Sequence, residues 1–300
     1  PCADDKLQIS ATGMRCYKLA LGLESEKIEV TIAIKEHKKV MGQYVHGTTI
    51  KLVDWRDDES VARKAEQYNV IIVNAGYGES AVNILKAVST NVLKVVDVFI
   101  PYYLEEAVMN KDIRKSIISY NSILSIADIL LVSNRHQYSL YLGALLSTNI
   151  INNKVIKEYT DRIIIAPPGI ITDEEIFSQK PYEHYSSIID SRKIVIWYGS
   201  LYDWYDINPL LDIYNDENDI TEKSILFILG ARNPGYKSNN ITKKINKKNI
   251  VFVPWINYYE RLSWIANCDV GISINKNTWE NEFSYRNRLL DFVEVKKPFI

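Results

Sequence analysis

The sequence predicts an α/β protein made of two Rossmann-like, doubly wound parallel-sheet domains that face each other across a cleft. Three observations predict it. The strand candidates are nearly continuous apolar runs rich in Ile and Val, such as VIIV at 70–73 and ILFILG at 225–230, as parallel strands covered on both faces must be. They alternate with amphipathic segments of helical length, the pattern of βαβ units. The alternation pauses near residues 167–169, runs through a polar stretch with Pro181, and restarts at Ile194. At 300 residues the chain is long enough for about two domains. The expected division is residues 1–170, a linker at 171–192, and 193–300.

The elements follow in order. A polar opening leads into a helix over 14–26, with Met14, Tyr17, Leu19, Leu21 and Leu23 spread over its buried side. Strands are expected at 28–34, 70–73 and 93–99, then one long amphipathic helix around 103–126. A strand at 129–133, a helix near 137–146 and a strand at 162–165 close the first half. The second half opens with the strand 194–198 and a helix from Pro209, with Asp206 or Asn208 as its cap. Strands at 225–229 and 250–253, a helix at 258–266, a strand at 270–274 and a helix at 286–295 complete it. The chain starts in a polar stretch and stops at Ile300 inside an apparent strand, so further segments are expected beyond both ends.

Composition excludes several classes. Lys plus Arg number 36 against 37 Asp plus Glu, a net charge of −1, so no basic field invites nucleic acid. Three scattered cysteines make neither a disulfide framework nor a zinc site. No signal peptide and no long apolar run is visible, which predicts a cytoplasmic protein.

One motif suggests a dinucleotide. Gly76-Tyr-Gly78-Glu-Ser-Ala81 is GxGxxA between a strand and a helix, and Asp97 ends the next strand, in the outline of the nicotinamide fingerprint. Against it, any βα turn in a parallel sheet favours glycine, and a strand precedes this one where the fingerprint normally sits on the first. The second half carries sharper signals. Three successive strand ends offer Gly199-Ser200, then Arg232 in GARNPG, then Pro254-Trp255: a glycine turn for phosphate, a cation and a stacking surface. The densest cluster is WENEFSYRNRLLDF, where Glu280 and Glu282 precede Arg286, Arg288 and Asp291. Solvated salt bridges would explain acids and lysines on a surface helix, but not two arginines among Phe283, Leu289, Leu290 and Phe292. Arginine suits a bidentate grip on phosphate.

These segments resemble a family. IWYGSLYDWYDINPLL, FILGARNP, PWINYYERLSWIANCDVGIS and WENEFSYRNRLLDFVEVKKPFI are similar to the donor domain of the retaining glycosyltransferases of family 4. The closest likeness is to a subgroup with a Trp-rich glycine loop and an acid–Phe–Arg-x-Arg segment. SATGMRCYKLALGL, VVDVFIPYYLEEA and ADILLVSNRHQYSLYLGALL resemble its acceptor domain. The resemblance implies the two-Rossmann GT-B fold, a nucleoside diphosphate sugar as donor and a glycan or lipid-linked acceptor. A lipid-linked acceptor would place the protein at the inner face of the membrane. It further implies Gly13 and Arg15 at the first-domain side of the phosphate, Glu280 or Glu282 at the sugar hydroxyls, and Asp291 at the ribose. Gly199, Arg232 and Trp255 complete the donor set.

The departures are specific. The family's Arg and Lys after the first donor-domain strand are absent from GSLYDWYD, so Arg286 or Arg288 is expected to supply the charge. The family's paired glutamates are changed too, with Asp291 in the second place. Arginines and helix ends would meet the diphosphate charge, so neither metal nor cofactor is expected. His37, His46 and His184 lack acid neighbours in sequence, and His136 stands on a strand–helix turn. Three competitors remain: a nucleotide-sugar epimerase of the same plan, a NAD-dependent enzyme using Gly76–Ala81, and a non-catalytic binding protein.

Overall fold

A computed structural model describes residues 11–35, 41–42, 45–147, 160–170, 180–230, 248–253, 256 and 258–300. Arg232, Trp255 and His37 lie outside the described residues, as do residues 171–179 of the expected linker. The chain forms two compact units. One comprises Arg15–Gly169 and Asn277–Tyr285; the other comprises Ile170–Lys276 and Arg286–Ile300, with which the few described residues before Arg15 are grouped.

The first unit carries α1 (Ala11–Ser25), β1 (Thr31–Ile34), β2 (Lys51–Asp54), α2 (Asp58–Ala65), β3 (Val70–Asn74), α3 (Glu79–Ala87), β4 (Leu93–Asp97), α4 (Tyr102–Val108), α5 (Arg114–Ile126), β5 (Ile129–Val132), α6 (Arg135–Ser147) and β6 (Ile163–Ile165). β1 and β2 pair in parallel, and β3-β4-β5-β6 form a four-stranded parallel sheet in sequence order. Its core packs Val96, Val98 and Leu130 of the sheet region against Ile84 and Leu85 of α3 and Ile123 of α5.

The second unit has α7 (Ser186–Ile189), β7 (Lys193–Tyr198), α8 (Asn208–Asn215), α9 (Asp219–Lys223), β8 (Ser224–Leu229), β9 (Ile250–Val253), α10 (Tyr258–Ala266) and β10 (Val270–Gly271). α11 (Trp279–Phe283) belongs to the first unit, and α12 (Asn287–Glu294) returns to the second. The sheet order is β10-β7-β8-β9, all parallel. All six residues of β8 are buried, as an inner parallel strand requires. Phe227, Tyr182 and Trp264 pack edge to face or tilted beside it.

Several expected elements differ. The helix expected over 103–126 is two helices, because the chain turns at Asn110, whose φ of 55° is left-handed. α1 starts three residues early, so Gly13 stands in its first turn rather than in a loop before it. The strand expected to reach residue 274 is regular only over Val270–Gly271, beyond which the Ile272 and Ser273 N–H groups still donate to the Ile196 and Ile300 carbonyls at 2.9 Å. β2, α2, α7, α9 and α11 were not expected. α2 announces itself by a capping box, Asp57 with Ser60, and α9 by Asn218 with Thr221. α8 starts at Asn208 with Pro209 in its first turn, and Asp206 accepts from the Asn208 N–H at 3.2 Å.

Candidate functional site

In the second unit the chain leaves β7 toward β8 and β9 on one side, while β10 pairs with its other edge. Connections of one hand then lie on opposite faces, and a crevice opens at the carboxyl ends of β7 and β10. An open cavity of about 400 Å³, lined by Tyr182, Ile189, Ile194 and Asn267, lies at the other end of β7. Open α/β sheets bind ligands at the carboxyl edge, so the site is built there.

Gly199 ends β7 with a φ of +92°, and the following loop folds back on the segment after β10. Tyr205 and Asn275 form an antiparallel bridge, the Asp206 N–H donates to the Ile274 carbonyl at 3.0 Å, and the Lys276 N–H donates to that of Trp204 at 2.9 Å. This brings Gly199, Ser200 and Tyr205 beside the first turn of α12. There Arg288 donates through Nη2 to the Ser200 carbonyl at 3.0 Å, and its Cζ lies 3.9 Å from the centre of the Tyr205 ring. Trp197 and Tyr198 stand 5.5 and 5.9 Å away. A Cβ on Gly199 would come within 2.8 Å of Arg288 Nη2, so glycine is required there for the arginine as well as for φ. Arg286 reaches the same Tyr205 ring at 5.3 Å. Arg288 Nη1 and Ser200 Oγ are buried and have no hydrogen-bond partner among the described residues. Buried donors without partners are costly, and their convergence at a switch point is what an anionic ligand would satisfy.

Asp291 lies one turn further into α12 and is only 4% exposed. It accepts from the Tyr198 hydroxyl and pairs with Arg261 Nη2 at 2.9 Å. Burial, and then the adjacent Asp291 carboxylate, push the Tyr198 hydroxyl well above its ordinary pKa, so it stays protonated and donates. Asp291 thus ties α12 to α10 and β7 from inside the unit.

The acids before α12 sit in the first unit. Glu280 is wholly buried in α11 and accepts from Ser284 Oγ. Glu282 is exposed and lies 3.3 Å from Nδ1 of His136. α11 is held by Gln137, a buried side chain whose Nε2 donates to the carbonyls of Phe99 at 2.8 Å and Phe283 at 2.7 Å. Its Oε1 accepts from the Ser133 N–H at 2.7 Å. Sequence proximity to Arg286 therefore did not place these acids in the same unit as the arginines.

Arg15 is buried in α1 and grips Asp97 through Nε at 3.3 Å and Nη2 at 3.1 Å, with Asn74 Nδ2 on the same carboxylate at 3.2 Å. Burial raises the Asp97 carboxyl above its ordinary pKa, against the pull of Arg15. Asp97, the acid of the dinucleotide reading, is thereby committed to Arg15. Gly76 is committed as well: a Cβ there would fall 2.0 Å from the Tyr102 ring, so that ring occupies the space a pyrophosphate would need. β3, which the motif follows, is an edge strand of the four-stranded sheet and not its switch point.

Sequence reasoning named Ser200 only as part of the glycine turn and missed Tyr205, Arg261 and Gln137. Tyr205 lay inside the Trp-rich loop, whose aromatics carry no role until Arg288 is packed on them. Gln137 had no sequence signal. Among the described residues, no three His, Cys, Asp or Glu side chains group as a metal site. No described helix is long and apolar enough to cross a membrane.

No family model and no curated protein sequence matches the chain. Solved structures match in fold. Anabaena HepE, in complex with UDP and glucose, is similar with a TM-score of 0.65 at 10% identity, over 99% of this chain and 78% of that one. An alpha-glucosyltransferase in complex with UDP and a 13-mer DNA containing an HMU base has a TM-score of 0.59 at 12% identity, over 98% and 76%. A Listeria monocytogenes protein assigned as a UDP-N-acetylglucosamine 2-epimerase has a TM-score of 0.52 at 11% identity, over 86% and 70%. The fold is the α/β, two-Rossmann plan of the GT-B type.

Proposed function

We propose that the protein is a glycosyltransferase that moves a sugar from a nucleoside diphosphate sugar to a glycan or lipid-linked acceptor, with retention of anomeric configuration. The observation that carries the reading is the switch point of the second unit, where Arg288 and Ser200 present buried polar atoms without partners among the described residues, beside Arg286. The GT-B neighbours crystallised with UDP or UDP-glucose support the donor class. The resemblance to family 4, most specific in WYGSLYDWYD and ENEFSYRNRLLD, supports retention.

The chemistry asks for this kind of site. The bond between the anomeric carbon and the diphosphate breaks, leaving positive charge on the sugar ring and a further negative charge on the departing oxygen. Guanidinium groups aimed at the diphosphate stabilise that charge most in the transition state. A hydroxyl of the acceptor attacks the anomeric carbon, and its proton leaves with the diphosphate. Arginines carry this charge without a bound cation, so turnover is expected to survive a chelator.

The test is incubation with a panel of radiolabelled nucleotide sugars and candidate acceptors, with the anomeric configuration of the product read by NMR. Label on an acceptor with retained configuration supports the reading. An inverted glycoside removes retention, and an epimerised nucleotide sugar without transfer replaces the transferase by the epimerase. Nucleotide binding without any product makes the protein a binder.

A further inference from the structure

We propose that Tyr205 is a positioning residue that holds Arg288 in the grip on the donor diphosphate. The proposal rests on the donor-site reading above and deepens it. Tyr205 acts on the ligand through the arginine.

Arg288 has a long side chain with several free rotors, and no described carboxylate pairs with it. Among the described residues its side chain donates to the Ser200 carbonyl alone, at 3.0 Å. What fixes its plane is the ring of Tyr205, 3.9 Å from Cζ, with Gly199 leaving room on the strand side. Tyr205 is itself locked. It is 6% exposed, meets Trp197 edge-on at 5.6 Å and Trp204 at 6.1 Å, and its backbone bridges to Asn275. A rigid aromatic face under a guanidinium attracts it without neutralising its charge. A carboxylate would hold the arginine as firmly and cancel the charge a phosphate needs.

The Arg286 guanidinium lies over the same ring at 5.3 Å, so Tyr205 seats both arginines of the segment. The Trp-rich loop is thereby explained: Trp197, Trp204 and Tyr205 form the mount on which the arginine is carried.

The experiment is a double-mutant cycle by calorimetry on the whole chain, with UDP, inorganic pyrophosphate and uridine as probes. Tyr205→Leu is expected to weaken UDP and pyrophosphate about tenfold, the scale of a cation–π contact away from bulk water, and to leave uridine unchanged. Tyr205→Phe keeps the ring and is expected to restore both affinities. In an Arg288→Met background the Tyr205→Leu change is expected to add nothing, because the two act as one unit. Equal loss for uridine and UDP in Tyr205→Leu, or additive losses in the cycle, would overturn the proposal and leave the donor-site reading standing. A wild-type protein that binds neither UDP nor pyrophosphate overturns the donor-site reading and the proposal with it. Should Tyr205→Leu not fold, Tyr205→Phe and Tyr205→Met decide: Phe must match wild type, and Met must weaken pyrophosphate while leaving uridine unchanged.

Discussion

Arg288 and Asp291 are three residues apart on one helix, yet their surroundings give them opposite tasks. Arg288 is half-buried with an unsatisfied nitrogen, whereas Asp291 is buried and satisfied by Arg261 and Tyr198. Arg288→Ala is expected to lower kcat/KM by roughly 10²–10³-fold with little change in melting temperature, the scale for one lost transition-state contact. Asp291→Ala is expected to cost about 3 kcal/mol of stability, since it breaks a buried pair, and chemical denaturation measures it. Asp269 offers a pH test. Burial pushes its carboxyl up, but the Ile194 N–H at 2.8 Å and Lys193 at 3.0 Å outweigh that and hold it below its ordinary pKa. A depressed carboxyl contributes stability above its unfolded pKa and loses it as pH falls through the folded one. Asp269→Asn should therefore lower stability at pH 7, and the gap to wild type should close at pH values below the ordinary carboxylate range.

At the scale of elements, α11 shows how a short helix is placed by one side chain. It has five residues, too few to be stable alone, and Gln137 of α6 clamps its end through the Phe283 carbonyl. Gln137→Ala would leave the Ser133 N–H and the Phe283 carbonyl short of a partner, and the Phe99 carbonyl with only Ser133 Oγ at 3.4 Å, and is expected to cost roughly 3 kcal/mol. Hydrogen exchange should then speed up over residues 279–283 more than over the β4–β5 core; uniform change across the unit would refute the clamp.

At the scale of the whole molecule, the fold and the first-unit geometry separate two ligand classes. A nucleoside diphosphate at one hundred times its Kd should stabilise the folded chain by about 2.7 kcal/mol and raise its melting temperature. NAD should not, because Tyr102 fills the space beside Gly76 and Asp97 is held by Arg15. Protection by NAD alone, seen by thermal shift, would reverse the two readings.

The sequence by itself determined the α/β class, the parallel strands and the restart after the polar stretch, because apolar runs that must be covered on both faces are visible residue by residue. It determined that Arg286 and Arg288 are unusual, since two arginines among apolar neighbours do not fit a solvated face. Only the tertiary structure decided which groups meet. That Gly199 and Arg288 touch, and that Tyr205 lies under the guanidinium, follows from β7 and β10 being neighbours in the sheet, a pairing between strands more than 70 residues apart in sequence. That Glu280 and Glu282 pack with the first unit follows from Gln137 and the carbonyl of Phe283, 146 positions away along the chain. Local pattern records which face of a segment seeks the core. It does not record the partner that face will find, because that is set by packing between segments whose distance in sequence carries no information about their distance in space.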